Sequence, residues 1–226
     1  MEKIYTIPVN EAFDACAEDN SKGCPFCEMY RDLQEKEIEI ILGASMMEPD
    51  IRIKTNEMGF CDQHFSMMLK RKNRLGLALM LESHLAHIEG EMKGLNAVKK
   101  IGKINESCYI CSRANTNFEK MFETAAWLYG ADKAFEEKMK KQSYFCLNHY
   151  QKFLTAGKNV LNKKKYSDFE PLVKQINMDY LKNLQEDVSW FCKKFDYRYA
   201  KEPWGNSKDS IERTVKFLTG YEEDEK

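Results

Sequence analysis

Six of the eight cysteines and two of the four histidines fall into one pattern that occurs twice. Cys24-Pro-Phe-Cys27 is followed by Cys61-Asp-Gln-His64, and Cys108-Tyr-Ile-Cys111 is followed by Cys146-Leu-Asn-His149. Each copy offers three thiols and one imidazole in two closely spaced pairs, the usual way a chain supplies four ligands to one metal ion. The spacers nearly match: 33 residues (28–60) in the first copy and 34 (112–145) in the second. The likeness extends past the ligands, because Gly59-Phe60 and Phe65 align with Tyr144-Phe145 and Tyr150. Three thiolates and one imidazole suit tetrahedral Zn(II), and a site with all four positions filled has no place for a catalytic water. The expectation is two structural Zn(II) sites, each closed within its own copy. Iron–sulfur clusters are the alternative cofactor, since cysteine-rich sets with one histidine also hold them.

Other chemistry for these cysteines fits less well. Cys24-Pro25-Phe26-Cys27 has the form of a dithiol redox site, but that motif should follow a β-strand, and residues 14–23 are polar. Covalent haem attachment requires His directly after the second cysteine, where Glu28 and Ser112 stand. Cys16 and Cys192 have no counterpart in the repeat and read as core residues. His84 and His87 share a helical face near Glu82 and Glu91, yet the Glu-x-x-His spacing of dinuclear carboxylate sites is missing, so a structural role is expected.

The elements that must position these ligands read as helices. Phe169, Leu172, Val173, Ile176, Tyr180, Leu184, Val188, Phe191 and Phe195 recur as one face of a long helix. Leu77, Leu81, Leu85, Ile88, Met92 and Leu95 trace a similar stripe within 75–98. Each spacer fits an outward helix and a returning segment, with Gly43 and Gly130 near the reversals, and the Cys-x-x-His pairs should open the next helices. Asn10 is a candidate N-cap for a first helix after an extended arm at 3–9, and a last helix should open at Asp209 and close at Gly220. The fold class predicted is all-α: a helical bundle of two quasi-repeated, metal-pinned hairpins plus a long C-terminal helix. The expected organisation is one compact domain over 1–226, with pseudo-repeats at about 24–72 and 108–157 and a C-terminal helical region at 166–220.

Composition narrows the function classes. With 35 Lys and Arg against 36 Asp and Glu, the net charge of −1 gives no global attraction to nucleic acid or anionic lipid. No segment is long and apolar enough for a membrane span and no signal peptide is evident, so the location expected is cytoplasmic, with no membrane partner. Thiols stay reduced there, which favours metal ligation over disulfides. No Gly-rich phosphate loop, nucleophile elbow or Ser/His/Asp set occurs. Near the C-terminus, Trp190, Tyr197 and Trp204 lie beside Asp196 and Arg198. Such a cluster reads first as a cap on the bundle, and second as a pocket wall or partner surface with Arg198 open to an anion.

The paired Cys-Pro-x-Cys and Gly-Phe-Cys-x-x-His sets, closed by Trp190-Phe-Cys-Lys-Lys-Phe-Asp-Tyr-Arg-Tyr199 and Glu202-Pro-Trp-Gly205, resemble an uncharacterised family of bacterial proteins, mostly from anaerobic Firmicutes. The resemblance implies a bacterial cytosolic origin and the same ligand set, without an activity. The reading is a zinc-binding interaction or adaptor module rather than an enzyme; the alternative is an iron–sulfur or thiol-based redox enzyme or sensor. A protein is the partner expected, with nucleic acid a minor alternative.

Overall fold

The computed structural model describes residues 3–220, and among them it contains eleven α-helices, five short 3-10 turns and no strand. The helices are α1 (Thr6–Glu18), α2 (Pro25–Leu42), α3 (Pro49–Met58), α4 (Asp62–Leu69), α5 (Arg74–Lys93), α6 (Ala97–Asn105), α7 (Tyr109–Ala131), α8 (Lys133–Lys140), α9 (Leu147–Val160), α10 (Lys163–Lys193) and α11 (Ser210–Thr219). The protein is all-α.

Two compact units divide the chain. The outer unit joins the residues up to Met29 with those from Glu119 onward, and the inner unit is Tyr30–Phe118. Both boundaries fall inside helices, α2 and α7, and the first pseudo-repeat straddles one of them. The outer core is aromatic: Phe13, Phe26, Phe122, Phe135, Phe145, Phe153 and Phe169 are fully buried. Phe26 stacks on Phe122 at 4.1 Å between centroids, and Phe153 meets Phe169 edge-on at 4.9 Å. Such pairs add about 0.5–1.5 kcal/mol each beyond their area. Gly157 lets α9 and α10 approach, since a Cβ there would lie 2.3 Å from a Phe169 ring carbon. The inner core is mainly aliphatic, built from Ile38, Ile41, Leu42, Met68, Leu77, Met80 and Ile110 with Tyr109 buried among them.

Local signals explain most boundaries. Pro25 and Pro49 stand in first turns, where no amide hydrogen is needed. Asn73, Asp132 and Asn162 cap α5, α8 and α10 by accepting from backbone N–H groups. Gly220 closes α11 in the left-handed region (φ 71°), as expected.

Four expectations differ from what is found. Residues 3–9 form no extended arm: α1 already begins at Thr6, with Pro8 tolerated in its first turn. Asn10 therefore lies inside α1, donating to the Thr6 carbonyl rather than capping. Helix α5 buries Gly76, Leu77, Met80 and His84, while Leu85, Met92 and Leu95 are 63, 65 and 88% exposed. The contact with α3 lies to one side of the stripe, as the Ser83 hydroxyl bonded to Asn56 and Arg52 Nη2 bonded to the Leu79 carbonyl show. Finally, Phe195 is 77% exposed because α10 ends at Lys193, so its residue no longer continues the buried face.

Candidate metal centres

All four ligand pairs sit at helix N-termini. Cys24 and Cys108 immediately precede α2 and α7, and Cys61 and Cys146 are the N-cap residues of α4 and α9. The first carbonyls are already engaged: the Cys24 and Cys108 carbonyls accept from Glu28 and Ser112, and the Cys61 and Cys146 carbonyls from Phe65 and Tyr150. Helix-start geometry puts the second ligand of each pair, three residues on, beside the first. The positive helix ends favour thiolates at all four places.

The eight predicted ligands come together in two groups, each with its four ligand atoms within 4.8 Å of one another. The membership is nested: Cys24, Cys27, Cys146 and His149 form one group, and Cys61, His64, Cys108 and Cys111 the other. Each group lies within a single unit, outer and inner respectively. The expected closure of each site within its own repeat is thus corrected, and helix length gives the reason. At 1.5 Å per residue, the part of α2 beyond Cys27 (28–42) carries the chain about 22 Å away, while the 10 residues of α3 return only about 15 Å. In the second spacer the helical legs are 112–131 of α7 and the 8 residues of α8, about 30 and 12 Å.

In the outer site His149 Nδ1 lies 3.6 Å from Cys24 Sγ and 3.4 Å from Cys27 Sγ, and Cys27 Sγ lies 3.7 Å from Cys146 Sγ. In the inner site His64 Nδ1 lies 3.1, 3.3 and 3.5 Å from Cys61, Cys108 and Cys111, with 3.9 Å between the sulfurs of Cys61 and Cys111. One tetrahedral ion with Zn–S of about 2.3 Å and Zn–N of about 2.0–2.1 Å spaces its ligands about 3.8 Å (S to S) and 3.6 Å (S to N) apart. The groups therefore fit one ion each.

Proton placement in the bare sets is uneven. Hydrogen bonds from Cys24 and Cys27, with help from His149, hold Cys146 far below the ordinary thiol value. Burial pushes Cys24 up, and the bonds Cys27 makes to Cys146 and Cys24 push it up as well. Burial acts against ionisation of Cys108, but the His64 contact and backbone amides outweigh it and bring its pKa down to about 6. Cys111 is pushed up to about 12, first by burial and then by Cys108. A bound cation displaces the thiol protons that remain.

The surroundings of the two sites differ. The outer site is the more enclosed: Cys24 and Cys146 are fully buried, and a Cβ on Gly220 would sit 3.2 Å from the sulfurs of both Cys27 and Cys146. The end of α11 is held there by Asn148, which donates to the Thr219 carbonyl. Ahead of Cys146, the backbone of Phe145 is gripped by the buried Asn177 of α10, which accepts from its N–H at 2.9 Å and donates to its carbonyl at 2.8 Å. In the inner site the Tyr109 N–H donates to the Gly59 carbonyl, and the Ser107 hydroxyl to the Met58 carbonyl. Pro25, which stands where Tyr109 stands, has no amide hydrogen to make the equivalent bond. Sequence reasoning missed Asn177, although a lone amide at an apolar-stripe position of a long helix was a readable sign. His64 is fully buried, and its Nε2 has no hydrogen-bond partner among the described residues.

The remaining candidates lie elsewhere. Cys16 is buried as expected, but Cys192 is exposed on α10. His84 is buried, shares a hydrogen bond between Nδ1 and the Asn56 carbonyl, and packs on Gly59; neither His84 nor His87 joins a ligand cluster among the described residues. In the C-terminal block, Trp190 donates to the Pro203 carbonyl and Trp204 packs on Phe191. The buried Lys194 ammonium donates to the carbonyls of Tyr199, Ala200 and Glu202 and lies over the Trp204 ring. Asp196 takes up the Arg198 guanidinium through Nε and Nη2, and Tyr197 is 87% exposed. No described helix is long and apolar enough to cross a membrane.

The family model described as "Family of unknown function (DUF6062)" matches residues 1–225. No curated protein and no solved structure matches the chain.

Proposed function

The chain belongs to this family of unknown function, and we propose that it is a zinc-braced helical interaction module, with one Zn(II) held by Cys24, Cys27, Cys146 and His149 and a second by Cys61, His64, Cys108 and Cys111. The single observation that carries the metal reading is the ligand spacing, 3.7–3.9 Å between sulfurs and 3.1–3.6 Å from sulfur to Nδ1. That spacing suits one four-coordinate ion and is too tight for an iron–sulfur cluster, whose thiolates bind separate irons across the width of the cluster. Ligand softness favours zinc. With four protein ligands per ion, the sites brace rather than catalyse: each ties helices distant in sequence and supplies folding free energy on binding.

The interaction reading is supported by the segment after α10. Lys194 fixes the chain after α10 by three carbonyl bonds, while Phe195 and Tyr197 beside it are 77 and 87% exposed. Rigid, exposed aromatics are the residues interfaces use as anchors. The test has two parts. Protein purified anaerobically without added metal should contain two zinc per chain and no visible colour, whereas iron with sulfide would end the zinc reading. Phe195→Ala/Tyr197→Ala should lose co-purifying protein partners at unchanged zinc content, and an unchanged partner set would end the interaction reading at this surface.

A further inference from the structure

Residues 92–105 carry four lysines, Lys93, Lys99, Lys100 and Lys103, and no acidic residue, within a chain whose net charge is −1. They form the end of the α5–α6 hairpin, turned by Gly94, Leu95 and Asn96, with Asn96 in the left-handed region (φ 61°). The inward face of α6 is Ala97, Ile101 and Ile104, spaced by four and three and half-buried. The outward side carries Met92, Leu95 and Val98, exposed by 65, 88 and 90%. Gly90 and Gly102 on this hairpin look into open space, with nothing within 4 Å of an added Cβ. Two of the lysines are paired at 2.5 Å, Lys93 with Glu89 along α5 and Lys100 with Glu91 from α6 to α5, so only the second fastens the hairpin. Lys99 and Lys103, one helical turn apart and exposed, form no ion pair among the described residues.

We propose that this tip is a docking site for an anionic phospholipid surface, with Met92, Leu95 and Val98 entering the headgroup boundary and Lys99 and Lys103 facing the lipid charges. Basic residues flanking exposed aliphatic ones are the composition that interfacial segments use. Charge complementarity selects the occupant. A second copy would bring the lysines of two tips together, and the tip has no aromatic side chain on which nucleic-acid bases could stack. Glu89 and Glu91 compensate Lys93 and Lys100, so the charge offered to lipid is that of Lys99 and Lys103, which the whole-chain charge balance hides. The contact is peripheral and leaves the helices outside the bilayer.

Each lysine near an anionic surface multiplies binding about fivefold. Reversing both free lysines should therefore weaken binding by at least about 25-fold. The test is co-sedimentation of the full chain, metal retained, with vesicles of phosphatidylcholine alone or mixed with phosphatidylserine. Wild type should bind the mixed vesicles, weaken as salt rises and ignore pure phosphatidylcholine. Lys99→Glu/Lys103→Glu and Leu95→Ser/Val98→Ser should each lose that binding while helicity by circular dichroism and metal content stay unchanged. No binding to mixed vesicles, equal binding to both compositions, or tip variants that bind as wild type does would overturn the proposal, as would a tip that bound RNA or a second copy but not vesicles.

Discussion

The nested ligand membership makes a prediction that separates it sharply from closure within each repeat. Cys24→Ser/Cys146→Ser removes two ligands from one group, whereas Cys24→Ser/Cys61→Ser removes one from each. Structural zinc binding is worth about 10–16 kcal/mol in apparent terms, so an even share is about 2.5–4 kcal/mol per ligand. One lost ligand then weakens a site roughly 70- to 900-fold, and two lost ligands weaken it about 5 × 10³- to 7 × 10⁵-fold. The assay is zinc content after dialysis against a chelator just too weak to strip wild type. Nested sites leave one zinc in Cys24→Ser/Cys146→Ser, with the inner site intact, and none in Cys24→Ser/Cys61→Ser. Closure within each repeat gives the reverse. The reverse result would refute both the membership and the helix-length argument behind it.

Asn177→Leu should cost about 2–5 kcal/mol, because it strands the buried N–H and carbonyl of Phe145, and it should loosen zinc at the outer site alone; urea unfolding and chelator competition read both effects. Gly157→Ala should destabilise by about 1–3 kcal/mol despite the better helix propensity of Ala, since the new Cβ meets the fully buried Phe169 ring at 2.3 Å; a raised melting temperature would contradict the packing described. Burial, aided by the nearby His87, holds the His84 pKa below its ordinary 6.5, against the opposing hydrogen bond to Asn56. The neutral form is thus the one the fold favours, and its contribution is present above pH 6.5 and lost as pH falls through the lowered value. His84→Gln should show a shallower fall in urea midpoint than wild type from pH 7 downward, and parallel curves would dismiss this role.

The clustering of the eight cysteine and histidine side chains in i, i+3 pairs at helix starts was readable because it follows from local spacing: i and i+3 at a helix N-terminus share a face. Their partition was not readable, since a repeated motif invites local closure while the answer depends on where α2 and α7 end. Gly43 marks the end of α2 at Leu42 in plain view, yet the consequence emerges only when the short α3 is measured against it. Hydrophobic stripes fixed element type better than orientation. Leu85 and Met92 belong to a valid helical stripe, but the neighbouring helix took Met80 and His84 instead. Asn177 and Lys194 show the same limit, because a polar residue's partners are backbone groups whose positions no spacing rule provides.

Nesting also orders events as the chain is made. The inner ligands span 50 residues, Cys61 to Cys111, and the outer ones 125, Cys24 to His149. The wider loop costs only about 0.8 kcal/mol more to close, so thermodynamics barely distinguishes the two sites, but emergence from the ribosome does. Cys24 and Cys27 appear first and wait longest, and the first complementary pair to reach them is Cys61 and His64, which belongs to the other site. Early zinc can therefore tie a four-ligand knot from the wrong halves, and refolding should run slower with zinc present from the start than with zinc added after collapse. With metal bound as proposed, it would be both brace and hazard for this topology, depending on the moment at which it arrives.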